Sequence, residues 1–322
     1  MSPGVGSSSK KVTLTLPIEK KRLSNKPSDS TNRSDSGNRL SSISPGTHIH
    51  RVANFPTNRK RIAHAERVRI QIAKNWLPRY TGMELAKFGD YILLTNFRHY
   101  LNNFAEQFKC NVYGENMPMQ AATNNSGLTI INFGMGSANA ATIMDLLNAI
   151  QPKGVLFLGK CGGLKKSTEI GHFILPNAAI RGEGASYDYF PPEVPALPSF
   201  KVHKFVSQKI MKRGYEYRTG VVYTTNRRLW EHDEGFLERL KRMTCIAIDM
   251  ETATLFMVGH HNEIARGALL LVSDVPITPD GIKTQESDAL VTEIWSKIHL
   301  EIGIEAMKEI GKKGEKVKHF RY

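Results

Sequence analysis

In the larger, C-terminal part of the chain, apolar residues either recur with helical spacing or form short runs typical of buried strands. Val68, Ile72 and Trp76 fall four residues apart, which predicts a helix over residues 64–76 that ends before Pro78. Compact apolar runs then alternate with further helical stretches. The predicted strands are Tyr91–Leu94, Leu128–Phe133, Gly154–Leu158, His172–Pro176, Val221–Thr224, Ile246–Met250 and Ala268–Val272. The predicted helices are Arg98–Phe108, Ala138–Ile150, Ser199–Arg213, Glu251–Gly259 and Ser287–Ile310.

This alternation of strands and helices predicts one α/β domain, residues 64–322, built around a largely buried sheet. In sheets of this kind a ligand lies outside the carboxyl ends of the strands. Every stretch of unusual composition in the domain follows a predicted strand. We therefore expect the functional site at that edge of the sheet.

Residues 1–63 have a different composition, rich in Ser, Asn, Lys, Arg and Pro and nearly free of aromatic residues. Such a segment cannot bury enough apolar surface to offset the entropy lost on ordering, so we expect a disordered basic extension. Its Arg- and Ser-rich, acid-poor composition also resembles an organellar transit peptide. It carries a net charge of +9 out of +14 for the whole chain, so the predicted domain is only mildly basic. A nucleic-acid-binding module is thus a weaker alternative to an enzyme, and we expect no specific nucleic-acid partner.

The remaining composition excludes several classes of protein. Cys110, Cys161 and Cys245 are scattered without paired spacing, which predicts neither a disulfide framework nor a zinc site and fits a reducing compartment such as the cytoplasm. The pair His260-His261 lacks matching acidic residues at metal-ligand spacing, so we expect no metal. No run of about 18 apolar residues occurs, and a membrane span is not expected.

Two glycine-rich stretches follow predicted strands. Gly134-Met135-Gly136 precedes a helix, where glycines allow close approach of the backbone to a ligand and the helix N-terminus offers free N–H groups. It lacks the full dinucleotide fingerprint and the Lys-Ser/Thr of a P-loop, so a tight structural turn is an open alternative. Gly159–Leu164 contains three glycines and predicts a loop close to a bulky group, or an ordinary turn.

Two carboxylates stand at the ends of predicted strands. Glu251 follows an apolar strand and precedes a helix, where it can accept hydrogen bonds from sugar hydroxyls or act only as a first-turn charge favoured by the helix dipole. Asp274 ends a strongly apolar run, where desolvation is expected to raise a carboxyl pKa and suit it to general acid catalysis. An ordinary cap or turn aspartate is the alternative for Asp274.

Guanidinium and hydroxyl donors concentrate in two further stretches, Arg181–Asp188 and Thr224–Trp230, the second of which ends in a large aromatic residue. This mixture suits a phosphorylated ligand that carries an aromatic base. A solvated loop would have a similar composition, so both interpretations stay open at this point.

Taken in order, Gly134-Met135-Gly136, Met250-Glu251 and Ser273-Asp274 resemble the pattern of the nucleoside phosphorylase/nucleosidase superfamily. The stretches that are most similar to its AMP-hydrolysing nucleosidase family are Trp76–Gly82, Gly159–Leu164, Thr219–Glu231 and Ala247–Thr254. The resemblance runs from about residue 66 to about residue 310 and does not include the N-terminal extension. It implies a phosphorylase/hydrolase-like fold, a three-layer α/β/α sandwich around a mixed twisted sheet. It also implies homo-oligomers, often hexamers, with sites near the subunit contacts.

The resemblance implies hydrolysis of the N-glycosidic bond of AMP to adenine and ribose 5-phosphate, a purine salvage reaction that needs no metal or organic cofactor. Asp274, preceded by Ser273, matches the acid that protonates or hydrogen-bonds purine N7. Glu251 matches the carboxylate that binds the ribose hydroxyls, with Met250 packing under the sugar. Because cleavage in this family passes through an oxocarbenium-like ribosyl centre, a negative charge on Glu251 would favour the transition state.

Substrate-binding residues carry over from the resemblance as well. Arg181 looks like the arginine near the base in uridine-cleaving relatives, and Trp230 falls close to the position of a base-stacking aromatic residue. The residues that bind the 5′-phosphate do not carry over, and the candidates, chosen because a phosphate needs cationic or N–H donors, are Arg98, Arg227 and Arg228. Arg98 lies near the position of a phosphate-binding arginine in phosphorolytic relatives, so a purine nucleoside phosphorylase is the alternative enzyme. The group that activates water is unassigned.

Overall fold

The computed structural model describes residues 59–278, 281 and 284–314. The predicted extension, residues 1–63, lies almost entirely outside the described residues, and its predicted boundary falls inside the first helix, which begins at Arg59. The described helices are α1 Arg59–Thr81, α2 Arg98–Phe108, α3 Ser137–Leu146, α4 Phe200–Lys212, α5 Glu234–Arg242, α6 Thr252–His261 and α7 Gln285–Lys313. The described strands are β1 Tyr91–Thr95, β2 Val112–Tyr113, β3 Gln120–Thr123, β4 Leu128–Asn132, β5 Gly154–Gly163, β6 Phe173–Gly182, β7 Tyr217–Thr225, β8 Ala247–Asp249 and β9 Arg266–Asp274.

These strands form one mixed sheet in the order β2-β3-β4-β1-β5-β8-β7-β6-β9. Strands β1, β4, β5 and β9 run in one direction, and β6, β7 and β8 run in the opposite one. Strand β9 also pairs with β5, so the sheet closes on itself from β5 to β9. Gly162 of β5 pairs with Ile248 of β8 and with Asp274 of β9. The ends of β8 and β9 therefore meet on either side of β5.

Helices cover both faces of the sheet because the central strands are apolar on both sides. In β1, Ile92 and Leu94 pack into a core that includes α1, α3 and α6, whereas Leu93 packs into a second core with α2, α4 and α7. The same alternation recurs in β9, where Leu270 belongs to the first core and Leu269 to the second. The predicted three-layer α/β/α sandwich around a mixed sheet is confirmed.

Helix α1 continues through Pro78 to Thr81, although the sequence predicted that it would end before the proline. Proline removes one backbone N–H and crowds the preceding turn. However, Leu77 and Thr81 are both fully buried, and the Thr81 hydroxyl donates to the carbonyl of Leu77 at 2.8 Å. Packing on both sides of Pro78 therefore outweighs the local cost of the proline.

The stretch Gly159–Gly163 forms the second half of β5, so the prediction of a loop there was wrong. A Cβ added to Gly159 would lie 2.4 Å from the Phe157 ring, and one added to Gly163 would lie 2.6 Å from the Thr168 methyl group. These glycines are needed because side chains crowd the sheet at this point.

Candidate active site

A cleft opens where β1, β7, β8 and β9 end around the second half of β5. The space inside it amounts to about 640 Å³, a figure that includes part of the solvent at its open mouth. Its ionisable lining residues are Lys160, Arg227, Arg228, Glu231, Asp249, Glu251 and Asp274. Carboxylates and cations thus share one concave surface at the strand ends, where the sequence predicted the functional site.

The cleft brings together eight of the twelve site residues predicted from the sequence. These are Met135, Arg227, Arg228, Trp230, Met250, Glu251, Ser273 and Asp274. The other four do not line it, namely Arg98, Gly134, Gly136 and Arg181. Gly136 nevertheless contributes to the site, because its backbone N–H contacts a lining side chain.

Glu251 lies between the end of β8 and the start of α6, with only 2% of its surface exposed. Its Oε1 accepts a hydrogen bond from the Gly136 N–H at 2.7 Å and one from Asn96 Nδ2 at 3.3 Å. Gly136 has a φ of +92°, which favours glycine at this position. The neighbouring Ser137 hydroxyl donates to the carbonyl of Met250 at 2.6 Å. The glycine-rich turn therefore holds the Met-Glu pair in place.

The electrostatic environment of Glu251 opposes its ionisation. Burial, followed by the nearby Asp249 carboxyl, raises the pKa of Glu251 to about 8. Hydrogen bonds from Gly136, Met250 and Asn96 act in the opposite direction but do not compensate. A positive charge that develops in the cleft would be stabilised by ionised Glu251, and would in turn favour its ionisation.

Asp249 anchors the segment that carries Glu251. Its buried carboxylate accepts hydrogen bonds from the Thr224 hydroxyl at 2.7 Å and from the Thr252 N–H at 2.7 Å. It also accepts a longer bond from the Glu251 N–H at 3.2 Å. Burial raises the pKa of Asp249, while these hydrogen bonds act to lower it. This carboxyl therefore ties the end of β8 to β7 and to the first turn of α6.

Asp274 is the last residue of β9 and is half-buried at the wall of the cleft. Its Oδ1 accepts a hydrogen bond from the Ser273 hydroxyl at 2.7 Å, which fixes the orientation of the carboxyl. A Cβ on Gly162 would lie 3.3 Å from Asp274 Oδ2, so the glycine of β5 leaves room beside this oxygen. The Ser-Asp motif thus presents a carboxyl of defined orientation to the cleft.

The sequence analysis missed two polar residues of the cleft. Asn96 follows β1, and its Oδ1 is buried without a hydrogen-bond partner among the described residues. Lys160 projects from β5 with 2% of its side chain exposed, and its Nζ donates to Asp288 Oδ1 at 2.7 Å and to Thr292 Oγ1 at 2.8 Å. A charged residue inside an apolar, glycine-rich strand was the signal that could have identified Lys160.

Arg181 does not bind in the cleft, which corrects the sequence prediction for this residue. Its side chain is buried in β6. Its guanidinium donates to the Ser186 hydroxyl and to four carbonyl oxygens at 2.5–3.1 Å, those of Ser186, Phe190, Pro191 and Val194. All three of its nitrogens are used in this way, so the arginine holds the loop that follows β6 and is not available to a substrate.

Of three further predicted residues, two do not line the cleft and one does. Arg98 is the exposed first residue of α2 and is not part of the cleft lining. Gly134 has a φ of +83° and shapes the turn before α3 without lining the cleft. Trp230 does line the cleft, with its ring packed edge-to-face against Phe236 at a centroid distance of 5.6 Å.

Neither a metal site nor a membrane span is found in the part of the chain that the structure describes. No group of three or more His, Cys, Asp or Glu side chains in that part is arranged to hold a metal ion. No helix there is both long enough and apolar enough to cross a membrane.

Comparison with protein families gives a match between residues 91–306 and the model of the phosphorylase superfamily. AMP nucleosidase from Escherichia coli (strain K12) is 27% identical over 311 residues, a match that covers 81% of this chain and 63% of that protein. The chain therefore spans less than two-thirds of the length of this curated relative.

Comparison with solved structures gives two informative matches. The crystal structure of AMP nucleosidase from Bacteroides thetaiotaomicron VPI-5482 is 51% identical, has a TM-score of 0.68, and the match covers 76% of this chain and 99% of that chain. The crystal structure of uridine phosphorylase from Vibrio fischeri ES114 is 19% identical with a TM-score of 0.63, over 70% of this chain and 94% of that chain. The second match is one of fold alone.

Proposed function

We propose that this chain, which belongs to the phosphorylase superfamily, hydrolyses the N-glycosidic bond of AMP to adenine and ribose 5-phosphate. The observation that carries the proposal is the joint presence of two carboxyls in one cleft. Asp274 ends β9 and Glu251 directly follows β8, and these are the two strands that pair with Gly162. The similarity to the AMP nucleosidases of Escherichia coli and Bacteroides thetaiotaomicron supports the choice of substrate.

Asp274 acts on the leaving group in the proposed reaction. When the bond between purine N9 and ribose C1′ breaks, its electron pair passes to the adenine ring, and protonation at N7 makes the ring a better leaving group. A carboxyl oriented by Ser273 at 2.7 Å can donate this proton or hydrogen bond. General acid catalysis of this kind contributes about 10²–10⁴-fold in rate.

Glu251 binds the ribose hydroxyls and stabilises the positive charge that develops at C1′. Its carboxylate is held by Gly136 and Asn96, so little reorganisation is needed at the transition state. Met250 lines the cleft beside it and packs under the sugar. The unpartnered Oδ1 of Asn96 is available to accept a hydrogen bond from a substrate hydroxyl or from water.

Water is favoured over inorganic phosphate as the nucleophile by two observations. Arg98, the arginine that a phosphorylase reaction would call for, is exposed outside the cleft lining. The N–H of Gly136, which could hold an anion at the start of α3, already donates to Glu251. Both groups are donors expected at a phosphate site. Arg98 is absent from the lining of the described cleft, and the Gly136 N–H already has an acceptor there.

We also propose that residues 64–322 form the catalytic domain, that it assembles into homo-oligomers, and that it acts in the cytoplasm. Exposed apolar side chains of α1, Val68, Ile72 and Trp76, line two surface grooves and support a subunit contact. Cys110 and Cys245 form no disulfide in the described part of the chain, which supports a reducing compartment.

The decisive experiment is product analysis with AMP, adenosine and IMP, each with and without inorganic phosphate. We expect adenine and ribose 5-phosphate from AMP in the absence of phosphate. If adenine forms only when phosphate is added, the reaction is phosphorolysis and the proposed hydrolysis is wrong. If none of the three substrates is cleaved, the proposed activity is wrong as a whole.

A further inference from the structure

We infer that Arg228 binds the 5′-phosphate of the substrate and thereby makes the site select a nucleotide over a nucleoside. The inference rests on the proposed function, because it concerns the same cleft and the same substrate. It follows from the distribution of charge in the cleft and from the partners of each cation that lines it.

The cleft needs a cation with spare hydrogen-bonding capacity if it is to hold AMP. A phosphate monoester carries about −1.5 to −2 charges near pH 7. The lining already contains four carboxyl groups, those of Glu231, Asp249, Glu251 and Asp274. Those carboxyls that are ionised would repel an added anion unless a positive side chain contacts it directly. Three described lining residues carry such a charge, and they are Lys160, Arg227 and Arg228.

Lys160 is the least suitable of the three cations. Its ammonium group is buried and forms a salt bridge with Asp288 at 2.7 Å, so its charge is already compensated. A second hydrogen bond reaches Thr292 Oγ1 at 2.8 Å, and the ring of Phe97 lies 4.8 Å from Nζ. To bind phosphate it would have to give up contacts that tie β5 to α7.

Arg227 is held against the start of α5 by two side-chain contacts, and its backbone is held by the end of β7. Its guanidinium donates to Asp233 Oδ2 at 2.8 Å and stacks over the ring of Phe236 at 5.3 Å. Its backbone N–H donates to the Thr225 hydroxyl at 3.0 Å. Asp233 is in turn the N-cap of α5, accepting from the Phe236 N–H at 2.9 Å. Arg227 thus stabilises the start of α5.

Arg228 differs from both in its partners. Its side chain is 53% exposed, and its closest recorded acidic neighbour is Glu231 Oε1 at 3.6 Å, which is too long for a hydrogen bond. The other oxygen of Glu231 accepts from the Trp230 N–H at 2.9 Å. A guanidinium has five N–H donors in a planar fork and can bind phosphate through two parallel hydrogen bonds. Arg228 is therefore the lining cation best able to exchange a loose carboxylate contact for a phosphate.

The test compares Arg228→Gln with wild type and with Arg218→Gln as a matched control. Arg218 is also an exposed arginine, 45% accessible, with a loose ion pair to Glu216 at 3.8 Å, but it does not line the cleft. The measurements are kcat/KM for AMP and for adenosine, and calorimetric binding of ribose 5-phosphate and of ribose. In Arg228→Gln we expect kcat/KM for AMP to fall about 30-fold, because hydrogen bonds to a charged group are lost. The values for adenosine and ribose should change less than about two-fold, since neither carries the phosphate that the bond requires.

A conservative variant separates phosphate binding from a general effect on the loop. Arg228→Lys keeps the charge but loses the planar fork, so it should recover part of the AMP activity and part of the affinity for ribose 5-phosphate. Arg218→Gln should behave as wild type with all four compounds. Both results support phosphate binding by Arg228.

Two results overturn the inference. One is an equal loss of kcat/KM for AMP and adenosine in Arg228→Gln, which would mean that the residue only supports the loop. The other is loss of the AMP preference in Arg227→Gln but not in Arg228→Gln. If wild type cleaves no AMP at all, the proposed function fails instead. Binding of ribose 5-phosphate to wild type and to Arg228→Gln then still decides whether Arg228 holds a phosphate.

Discussion

The loop after β6 and the segment after β8 both contain buried charged side chains, but they satisfy them to different extents. After β6, Arg181 uses all its nitrogens on the loop, and Glu183 accepts from the N–H groups of Gly184 and Ser186 and from the Thr254 hydroxyl. After β8, Glu251 is buried beside another acid, and two hydrogen bonds do not keep its pKa from rising to about 8.

This difference distinguishes a structural network from a site. Buried polar groups that are all paired fix a loop and leave nothing for a ligand. In the cleft, ionisation of a buried carboxyl is disfavoured, and the amide oxygen of Asn96 beside it has no hydrogen-bond partner among the described residues. A ligand that supplies a positive charge and a hydrogen-bond donor would stabilise both groups. The following variants should therefore change activity in one region and stability in the other.

The largest effect is expected for Asp274→Asn in the cleft. Asparagine keeps the shape of the side chain but cannot donate a proton to purine N7, so kcat for AMP should fall about 10³-fold. Binding of AMP and the melting temperature should stay close to wild type. Asp90→Asn is the control, because this exposed aspartate forms a salt bridge with Lys153 at 2.8 Å and does not line the cleft. Turnover of Asp274→Asn at the wild-type rate would remove Asp274 from the proposed role.

A large effect on stability rather than on activity is expected for Arg181→Met, which removes the side chain of β6 that holds the following loop. Methionine fills part of the volume but removes the guanidinium that donates to four carbonyl oxygens and to the Ser186 hydroxyl, so the free energy of unfolding should fall by about 3 kcal/mol. Denaturant unfolding measures this loss, with the exposed Arg218→Met as its control. The kcat per folded molecule should be retained. A variant that is fully stable but inactive would mean that Arg181 contacts substrate after all.

Glu251→Gln should change both activity and stability. Loss of the negative charge beside C1′ should lower kcat/KM for AMP about 100-fold. The folded protein should become more stable by on the order of 2 kcal/mol at pH 8, because a buried group that resists ionisation is replaced by a neutral one. Chemical denaturation of both proteins across the pH range measures this gain.

The pH dependence of that gain has a defined sign. Near pH 4 Glu251 is protonated in both the folded and the unfolded chain, so the substitution should have little effect on stability. From its ordinary pKa of 4.5 up to about 8, the unfolded chain loses the proton while the folded chain keeps it, and wild-type stability falls with rising pH. The gain in Glu251→Gln should therefore grow through this window and level off above it. A gain that is the same at pH 4 and pH 8 would contradict the raised pKa.

Much of the fold could be predicted from the sequence because its strands are buried on both faces and read as continuous apolar runs, as in Leu269–Val272. The short strands β2 and β3 and helix α5 were not predicted. Strand β3 has the sequence Gln-Ala-Ala-Thr, which carries no period of two, and α5 is mostly charged with one fully buried residue, Leu240. Their positions depend on tertiary contacts rather than on local pattern.

The two carboxylates of the candidate site were predicted because their motifs stand directly at strand ends. Met250-Glu251 and Ser273-Asp274 do so, and both reach the cleft. Arg181 has the residue type expected of a ligand contact, but whether its guanidinium faces a ligand or a loop depends on carbonyls up to thirteen residues away. Lys160 and Asn96 reach the cleft through strand pairing that no local pattern specifies.

The smallest effect is expected for Arg98→Gln, which tests whether the start of α2 binds a nucleophilic phosphate. Arg98 is exposed and outside the cleft lining, so kcat/KM for AMP should change less than about two-fold, as is usual for surface substitutions. Adding inorganic phosphate should not alter the products of either protein. A more than ten-fold loss that is specific to reactions with phosphate would instead assign Arg98 to a nucleophilic phosphate. The cleft would then be that of a phosphorylase, with Glu251 and Asp274 serving the same bond but a different acceptor.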